Sequence, residues 1–402
     1  MLDRSRLLGP AFVAAVAYVD PGNVATNTTA GAQYGYLLVW VLVGATLMAG
    51  LVQYLSAKAG LLTGRSLPEL VAARTGPGGR IAYWLQAELV AMATDLAEII
   101  GGAVALQLLF DLPLIVGALI TTGVSTALLV LQDRTRQREF ERVITGLLAV
   151  VTLGFLAGLV IQPPDPAAAI AGLRPRLAGT ESARLAVGML GATVMPHVVY
   201  LHSALVRDRY GRVDPDRIPA MIRTTRTDVT LAMIVAGAVN VGMLLLAASA
   251  LFGLPGVDSL EGAHQALGDQ LGAAIGLLFA LALLASGLAS TSVGGYAGAV
   301  IMDGLLRRRV PILARRLITA VPALILLGLG LDATQMLIWS QVMLSFGIPF
   351  ALIPLVRIVQ DRRLMGVAPT GRLTIIIAWL VVALVITLNL LLLVLTGLDA
   401  VR

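Results

Sequence analysis

Two short polar stretches interrupt apolar parts of the chain, and each contains a proline: AYVDPGNVATN at 17–27 and GATVMPHVVYLH at 191–202. A proline inside a helix removes a backbone donor, so the carbonyl four residues earlier loses its partner. Pro21 thereby frees the carbonyl of Ala17, and Pro196 frees that of Ala192. Inside a bilayer, a freed carbonyl must find another partner or line a cavity. Both stretches are therefore candidate binding sites.

Beside each proline stands a side chain that suits a metal ion. Asp20 and Asn23 supply a carboxylate and an amide oxygen, and Met195 supplies a thioether. A carboxylate in mid-membrane costs about 2.5–3.5 kcal/mol and usually marks an ion or proton pathway. A thioether is a poor ligand for Mg²⁺ or Ca²⁺ but suits softer metals. With the carbonyls of Ala17 and Ala192, these groups predict a site for Mn²⁺, Fe²⁺ or Cd²⁺. The competing interpretations are a surface turn at DPG and a methionine that only fills an apolar gap.

The composition indicates an all-α membrane protein. Hydrophobic residues make up 58% of the 402 residues and charged residues only 13%, whereas a soluble protein carries about 25% charged residues. Eleven apolar runs are long enough to cross a bilayer: 8–36, 38–60, 80–110, 113–131, 143–161, 184–206, 228–252, 271–303, 310–329, 335–358 and 374–397. We expect a single polytopic membrane domain over 1–402 with eleven transmembrane helices.

The basic residues segregate to one side of these predicted helices. When the loops alternate from a cytoplasmic N-terminus, all but four of the 29 Lys and Arg residues fall on the cytoplasmic side; the exceptions are Arg174, Arg176, Arg184 and Arg402. The positive-inside rule then predicts a cytoplasmic N-terminus and, after eleven crossings, an extracellular C-terminus. This distribution accounts for the net charge of +6 without nucleic acid as a partner. We expect a multi-pass protein of the plasma membrane.

The positions of the two prolines predict an internal repeat. Pro21 and Pro196 lie about 175 residues apart, in the first and the sixth span. Two five-helix units, 8–161 and 184–358, would each begin with a broken helix, and 374–397 would add helix 11. Because each unit has an odd number of crossings, the second is inserted upside down relative to the first. This is the inverted repeat of LeuT-type transporters.

The third span carries acidic residues on one helical face. Glu88, Asp95 and Glu98 follow at spacings of seven and three residues, which places them on one side of a helix. Acids along a buried face favour a proton relay. The alternative is structural salt bridging, for which the candidate partners are Arg209, Arg315 and Arg316. The two interpretations are compatible.

Four further polar residues lie within predicted spans. His197 and His202 are five residues apart and therefore point to different sides of a helix, so a shared metal is not expected. Two roles are equally compatible with the positions of these histidines: hydrogen bonding inside the bundle and transfer of protons. Gln341 either closes over an ion from the tenth span or bonds to a neighbouring helix, and Gln53 is a similar uncharged polar residue.

The motifs DPGN at 20–23 and MPH at 195–197, extending to YLHS at 200–203, resemble the Nramp family of divalent-metal transporters. The resemblance covers essentially all eleven helices. It implies a LeuT-type fold and import of Mn²⁺, with Fe²⁺ and Cd²⁺ as further substrates, coupled to H⁺ by alternating access. It implies as metal ligands Asp20, Asn23, Met195 and the carbonyls of Ala17 and Ala192, with Gln53 and Gln341 joining in some states. It implies as the proton pathway Asp20, Asp95, Glu98, His197, His202, Arg209, Arg315 and Arg316.

Three other classes of protein remain as alternatives. An organic-solute symporter on the same scaffold would bind a substrate carboxylate, which the acidic centre at Asp20 would repel. An intramembrane metal-dependent hydrolase would need clustered His and Glu ligands such as HExxH, and the sequence contains no such motif. A metal sensor would normally carry a soluble signalling domain. We therefore expect a transporter and not an enzyme, with no prosthetic group and no obligate protein partner. Its partners would be the divalent metal, protons and the lipid bilayer.

One position departs from the family pattern. Gly347, in SFGIPF at 345–350, stands where a bulkier or polar residue is expected, which leaves the packing of the tenth span open. The chain also has no cysteine, so disulfides and thiolate metal ligands are excluded.

Overall fold

The computed structural model describes residues 9–131, 137–211, 213–307 and 312–401, except for the side chains of 128–131, 137–142, 312–317 and 399–401. The described residues form helices joined by short connections: α1 Pro10–Ala17, α2 Pro21–Tyr34, α3 Val39–Thr63, α4 Leu67–Ala72, α5 Pro77–Phe110, α6 Leu114–Leu131, α7 Gln137–Ile161, α8 Pro166–Ala171, α9 Thr180–Thr193, α10 Pro196–Tyr210, α11 Ile218–Ala250, α12 Leu260–Leu271, α13 Ala273–Leu306, α14 Ile312–Gly328, α15 Ala333–Gln360, α16 Arg362–Met365 and α17 Arg372–Val401.

The eleven predicted spans are confirmed as helices. Eight stretches in the described part of the chain are long and apolar enough to cross a membrane, with α9 and α10 counted as one. The remaining three crossings are the pair α1–α2 and the shorter apolar helices α6 and α14. We call the end of the bundle where α1 begins the Pro10 end, and the end where α2 finishes the Tyr34 end.

Helices 1 and 6 of the bundle are broken at the predicted prolines. α1 stops at Ala17 and α2 starts at Pro21, while α9 stops at Thr193 and α10 starts at Pro196. Proline suits the first position of a helix because the N–H of that residue would have no partner within the helix. The sequence therefore starts a new helix at each proline and leaves a short non-helical link before it.

Two further prolines lie inside α15, where each frees a carbonyl. The oxygen freed by Pro349 is that of Ser345, and it accepts a bond of 3.0 Å from Nδ2 of Asn389 on α17. The oxygen freed by Pro354 is that of Phe350, and it accepts a bond of 3.2 Å from the hydroxyl of Tyr200 on α10. Neighbouring helices thus satisfy both carbonyls, as the apolar surroundings require.

Glycines allow the helices around the two breaks to approach closely. A Cβ on Gly101 of α5 would overlap the ring of Pro21, and a Cβ on Gly191 of α9 would overlap the carbonyl oxygen of Gln341. Beside Gly347, the space that a side chain would fill is occupied by Val90, Gln86 and Pro196. The absence of a side chain at this position brings α15 close to α5 and to the start of α10.

The sequence did not predict four short helices, α4, α8, α12 and α16. They lie in the connections and begin at side chains that cap helix N-termini. Asp165 accepts from the backbone N of Ala167 before α8, and Ser259 accepts from that of Gly262 before α12. α4, α8 and α16 have at most six residues, too few to show a periodic apolar pattern, whereas α12 has twelve residues with Leu260, Ala263 and Leu267 buried on one face, and the sequence analysis overlooked it.

Candidate metal-binding centre

The two helix breaks meet in the interior of the bundle. Nδ2 of Asn23, in the first turn of α2, donates to the carbonyl oxygen of Ala192 at 2.9 Å, across 169 residues of sequence. The same nitrogen donates to Oδ1 of Asp20 at 2.7 Å. All three residues are buried. A single amide therefore joins the carboxylate of the first break to the carbonyl that Pro196 frees in the second.

The Asp20 carboxylate is surrounded by N–H donors. Oδ1 also accepts from the backbone N of Asn23 at 2.8 Å, so Asp20 is the N-cap of α2. Oδ2 lies 3.4 Å from Nε2 of Gln341, which reaches over from α15. The N-terminus of α2 adds partial positive charge. No bond described for Asp20 comes from a basic side chain, so its charge is stabilised by neutral donors.

Met195 and Ala17 lie at the ends of the broken helices that carry this cluster. Met195 is 0% exposed and occupies the N-cap position of α10, where its side chain makes no capping bond. It follows Ala192 by three residues. Ala17 is the last residue of α1 and precedes Asp20 by three residues. The five ligands predicted from the motifs are thus contributed by four helix ends and the links between them.

The two predicted glutamines occupy different places. Gln341 contacts Asp20, and its Nε2 also donates to Oγ of Ser340 at 3.1 Å. Nε2 of Gln53 donates to the hydroxyl oxygen of Tyr18, and Oε1 of Gln53 lies 2.7 Å from Nδ1 of His202. Gln53 therefore joins α3 to the link between α1 and α2 and to α10, and the structure does not bring it to Asp20.

Buried polar residues that the sequence analysis did not single out hold the link between α1 and α2. Nδ2 of Asn240, on α11, donates to the carbonyl of Tyr18 at 2.6 Å, and Oδ1 of Asn240 accepts from Asn27 at 2.7 Å. Oγ of Ser286, on α13, donates to the carbonyl of Val19 at 2.5 Å. A lone asparagine in the apolar run AGAVNVGM was the available signal.

The acidic residues of the third span lie deep in the bundle. Asp95 is 5% exposed and Glu98 is 1% exposed on α5. The Glu98 carboxylate packs against Gly294 of α13, where an added Cβ would lie 2.9 Å from Oε1. Next to Asp95, Oγ1 of Thr94 lies 3.3 Å from Nδ1 of His197. His197 thus faces α5 whereas His202 faces α3, in agreement with their five-residue spacing.

The three arginines that the sequence analysis assigned to the proton pathway lie near the Pro10 end. Arg209, in the last turn of α10, holds its guanidinium 5.9 Å from the ring of Tyr210 and contacts Gly9. Arg315 and Arg316 belong to the first turns of α14, and their side chains lie outside the described residues. Their pairing with the acids of α5 stays a prediction.

The donor set at the two breaks is unlike that of an enzyme's metal centre. Among the described residues, no group of three or more His, Cys, Asp and Glu side chains is suited to hold a metal ion. The groups that the hydrogen bonds bring together are instead one carboxylate (Asp20), two amides (Asn23 and Gln341) and the carbonyl of Ala192. These groups carry one negative charge, that of the Asp20 carboxylate.

Two broken helices that cross at a buried polar centre define the class of LeuT-type membrane transporters. The fold comparison agrees. The closed structure of Mhp1, a transporter of the nucleobase-cation-symport-1 family, superposes with a TM-score of 0.62 at 16% identity and covers 98% of this chain and 92% of that one, which shows the fold alone.

The family is shown by closer relatives. The model of the Nramp family, described as natural resistance-associated macrophage protein-like, matches residues 11–395. The divalent metal cation transporter MntH of Mycobacterium tuberculosis is 58% identical over 391 residues, which are 97% of this chain and 91% of that protein. The crystal structure of the Eremococcus coleocola manganese transporter superposes with a TM-score of 0.86 at 32% identity, covering 96% of this chain and 86% of that one. The chain belongs to the Nramp family.

Proposed function

We propose that this protein imports divalent transition metal ions, with Mn²⁺ as the main substrate and Fe²⁺ and Cd²⁺ as further substrates, coupled to protons by alternating access. The observation that carries the proposal is the bond from Asn23 to both Asp20 and the Ala192 carbonyl. It brings the carboxylate and a freed carbonyl of the two breaks to one point. The names of the relatives, a divalent metal cation transporter and a manganese transporter, support the same substrate class.

The substrate ion would take the place that the Asn23 amide nitrogen occupies between two oxygens. Oδ1 of Asn23 is buried and accepts no described hydrogen bond, and the same holds for Oε1 of Gln341. A half-turn of either amide exchanges nitrogen for oxygen, so both residues can turn from donors to Asp20 into ligands of a cation. Asp20, Asn23, Met195, Gln341 and the carbonyl of Ala192 would then surround the ion, together with the carbonyl of Ala17. Gln53 would approach only in another conformation.

Protons would leave along the buried acidic face of α5. His197 contacts Thr94 of α5, and the buried acids Asp95 and Glu98 lie one and four residues after Thr94 on the same helix. We propose that Asp20 gives up a proton when the metal binds and that these residues carry it onward. His202 would couple the movement of α10 to Gln53, and Arg209, Arg315 and Arg316 would balance the acids.

The charge distribution supports the orientation in the plasma membrane. The contact of Arg207 with Glu69 and that of Arg74 with Asp361, each with N–O distances of about 3 Å, lie at the Pro10 end. We propose that the Pro10 end, which also holds most of the arginines, faces the cytoplasm. The C-terminus would lie outside, after two inverted repeats spanning 8–161 and 184–358 and the helix at 374–397. Its partners would be the metal ion, H⁺ and the bilayer, with no obligate protein partner inferred.

The test of the metal site compares two N-cap aspartates. Isothermal titration of purified protein with Mn²⁺, Cd²⁺ and Mg²⁺ should show binding of the first two, and Asp20→Asn should abolish it together with Mn²⁺ uptake into liposomes. Asp165→Asn is the matched control, because it alters the same kind of cap at the exposed start of α8. Binding of Mn²⁺ by Asp20→Asn with unchanged affinity would refute the site.

The test of proton coupling uses the isosteric change Glu98→Gln. We expect uptake of Mn²⁺ to persist at reduced rate while metal-driven acidification of the liposome lumen falls at least about tenfold, since a positioned acid or base contributes on the order of 10²–10⁴ to proton-transfer rates. Asp269→Asn, which removes an exposed carboxylate near the end of α12, serves as the control for loss of a carboxylate. Proton flux that stays intact in Glu98→Gln would overturn the assignment of α5.

A further inference from the structure

Arg184 is the nearly buried centre of a cluster at the Tyr34 end that the proposed metal site does not include, while its partners Glu181 and Trp339 are exposed. Its side chain is only 11% exposed, although it lies one turn into α9. Nη2 and Nε donate to Oε2 of Glu181 at 2.6 and 2.9 Å. Nη1 donates to Oε1 of Gln335 on α15 at 3.0 Å, and the guanidinium carbon lies 5.1 Å from the centre of the Trp339 ring. One arginine therefore links the outer half of broken helix 6 to the start of α15.

The link lies on the face of α9 that leads to the metal-binding centre. Residues 184, 188 and 191 share one side of the helix. An added Cβ on Gly188 would lie 3.3 Å from Thr26 of α2 and 3.6 and 3.7 Å from Val342 and the Ile338 carbonyl of α15, and Gly191 faces the backbone of Gln341. We call this contact between residues 184–191 of α9 and residues 335–345 of α15 the α9–α15 seam. At its inner end Gln341 reaches Asp20. A movement of α15 away from Arg184 would displace Gln341, because Gln335 and Gln341 belong to the same helix.

The partners of Arg184 differ in a way that suits a reversible contact. Glu181 is on α9 itself and is 60% exposed, so it stays with the arginine if α15 moves away. The partners on α15 are a neutral amide and an aromatic ring. Separation of the helices therefore breaks one charge-assisted hydrogen bond and one cation–π interaction, and leaves no buried charge without a counter-ion.

We propose that Arg184 is a positioning residue that closes the outer end of the α9–α15 seam and thereby holds Gln341 over the metal-binding centre. This inference rests on the proposed transport function for its consequence, but the closure itself is a property of the two helices. Replacement of the arginine should shift the equilibrium towards an open seam by at least about fivefold, because a charge-assisted hydrogen bond and a cation–π interaction are then both absent.

The experiment measures the width of the seam directly. The sequence contains no cysteine, so nitroxide labels can be placed at Ala178 and Leu331, which are exposed on either side of the seam. Electron–electron resonance in nanodiscs should give a longer and broader distance distribution for Arg184→Gln. Arg174→Gln is the control, because Arg174 is an exposed arginine in the connection before α9; its distance distribution should match that of the parent protein. Arg184→Lys should fall between them, because an ammonium lacks the planar fork that contacts Gln335 and Trp339 together.

A second variant leaves Arg184 in place and should change the label distance in the opposite direction. Gln335→Glu converts the neutral acceptor into a carboxylate, so the label distance should shorten and narrow, and the maximal rate of Mn²⁺ uptake should fall because opening is slower. Arg184→Gln should also lower the maximal rate, but with a raised KM, since Gln341 is released. Label distances that are unchanged in Arg184→Gln, or that change in the same direction in both variants, would overturn the proposal. Seam distances as expected in both, without any Mn²⁺ binding, would refute the transport function but not the closure.

Discussion

Replacement of Gly191 by alanine would place a methyl group between α9 and α15 at the level of the metal-binding centre. The new carbon would lie 2.8 Å from the backbone N of Ser345 and 3.1 Å from the carbonyl carbon of Gln341, and it would overlap the carbonyl oxygen of Gln341. These are backbone atoms of a helix, so no side chain can rotate away. The helices must part instead.

The size of this displacement follows from the distances. Carbon normally stays at least about 3.4 Å from such atoms, so the contact with Ser345 alone requires a shift of at least about 0.6 Å. The bond from Gln341 to Asp20 is already 3.4 Å long and would be broken. Overpacking of this kind costs about 1–3 kcal/mol. If the closed seam is the state that binds metal, the affinity for Mn²⁺ should fall by roughly 5- to 150-fold.

The assay is titration of purified Gly191→Ala with Mn²⁺, paired with thermal unfolding in the same detergent. The matched control is Gly44→Ala on α3, where an added Cβ would have nothing within 4 Å. Alanine is the better helix former by about 0.5–1 kcal/mol, so the control should be as stable as the parent or slightly more stable. Equal Mn²⁺ affinities and melting temperatures for the two variants would show that the seam does not close on the site.

Three other substitutions have defined outcomes. Met195→Ala should retain part of the Mn²⁺ uptake but let Ca²⁺ or Mg²⁺ compete better, because the site loses its soft ligand; an unchanged order of competition would refute its role as a selector. Asn240→Leu leaves the buried carbonyl of Tyr18 without its donor and should destabilise the protein by about 1–3 kcal/mol in denaturant titrations, with a loss of Mn²⁺ uptake. Tyr200→Phe uncovers the carbonyl of Phe350 and should lower stability by about 1 kcal/mol while metal affinity is retained; a melting temperature equal to that of the parent would contradict this.

The architecture was predictable because it depends on length and on proline. A run of about 20 apolar residues usually forms a transmembrane helix. Pro21 and Pro196 each lie in the middle of an apolar run and each begin a new helix, so the two breaks could be located from the sequence. The meeting of the two breaks followed from the pairing of interrupted helices in two halves of a transporter.

The partners of individual side chains were not predictable in the same way. Gln53 and Gln341 are the same residue type in similar apolar runs, yet one contacts Tyr18 and His202 and the other contacts Asp20. The difference depends on which faces of α3 and α15 meet the broken helices, and small residues such as Gly191 decide that by permitting backbone contact. Asn240 was overlooked for the same reason, since a single asparagine does not reveal which carbonyl it will reach.

The last membrane helix, α17, would lie outside the two proposed five-helix repeats, so a shortened version of the protein would most simply omit it. The bond from Asn389 to the Ser345 carbonyl argues against such a truncation. Without α17, the backbone oxygen that Pro349 exposes would face hydrocarbon, only one helical turn from Gln341. A chain shortened before residue 372 should therefore insert but lose the shape of α15, so the appended segment is part of the transport unit and not an accessory to it.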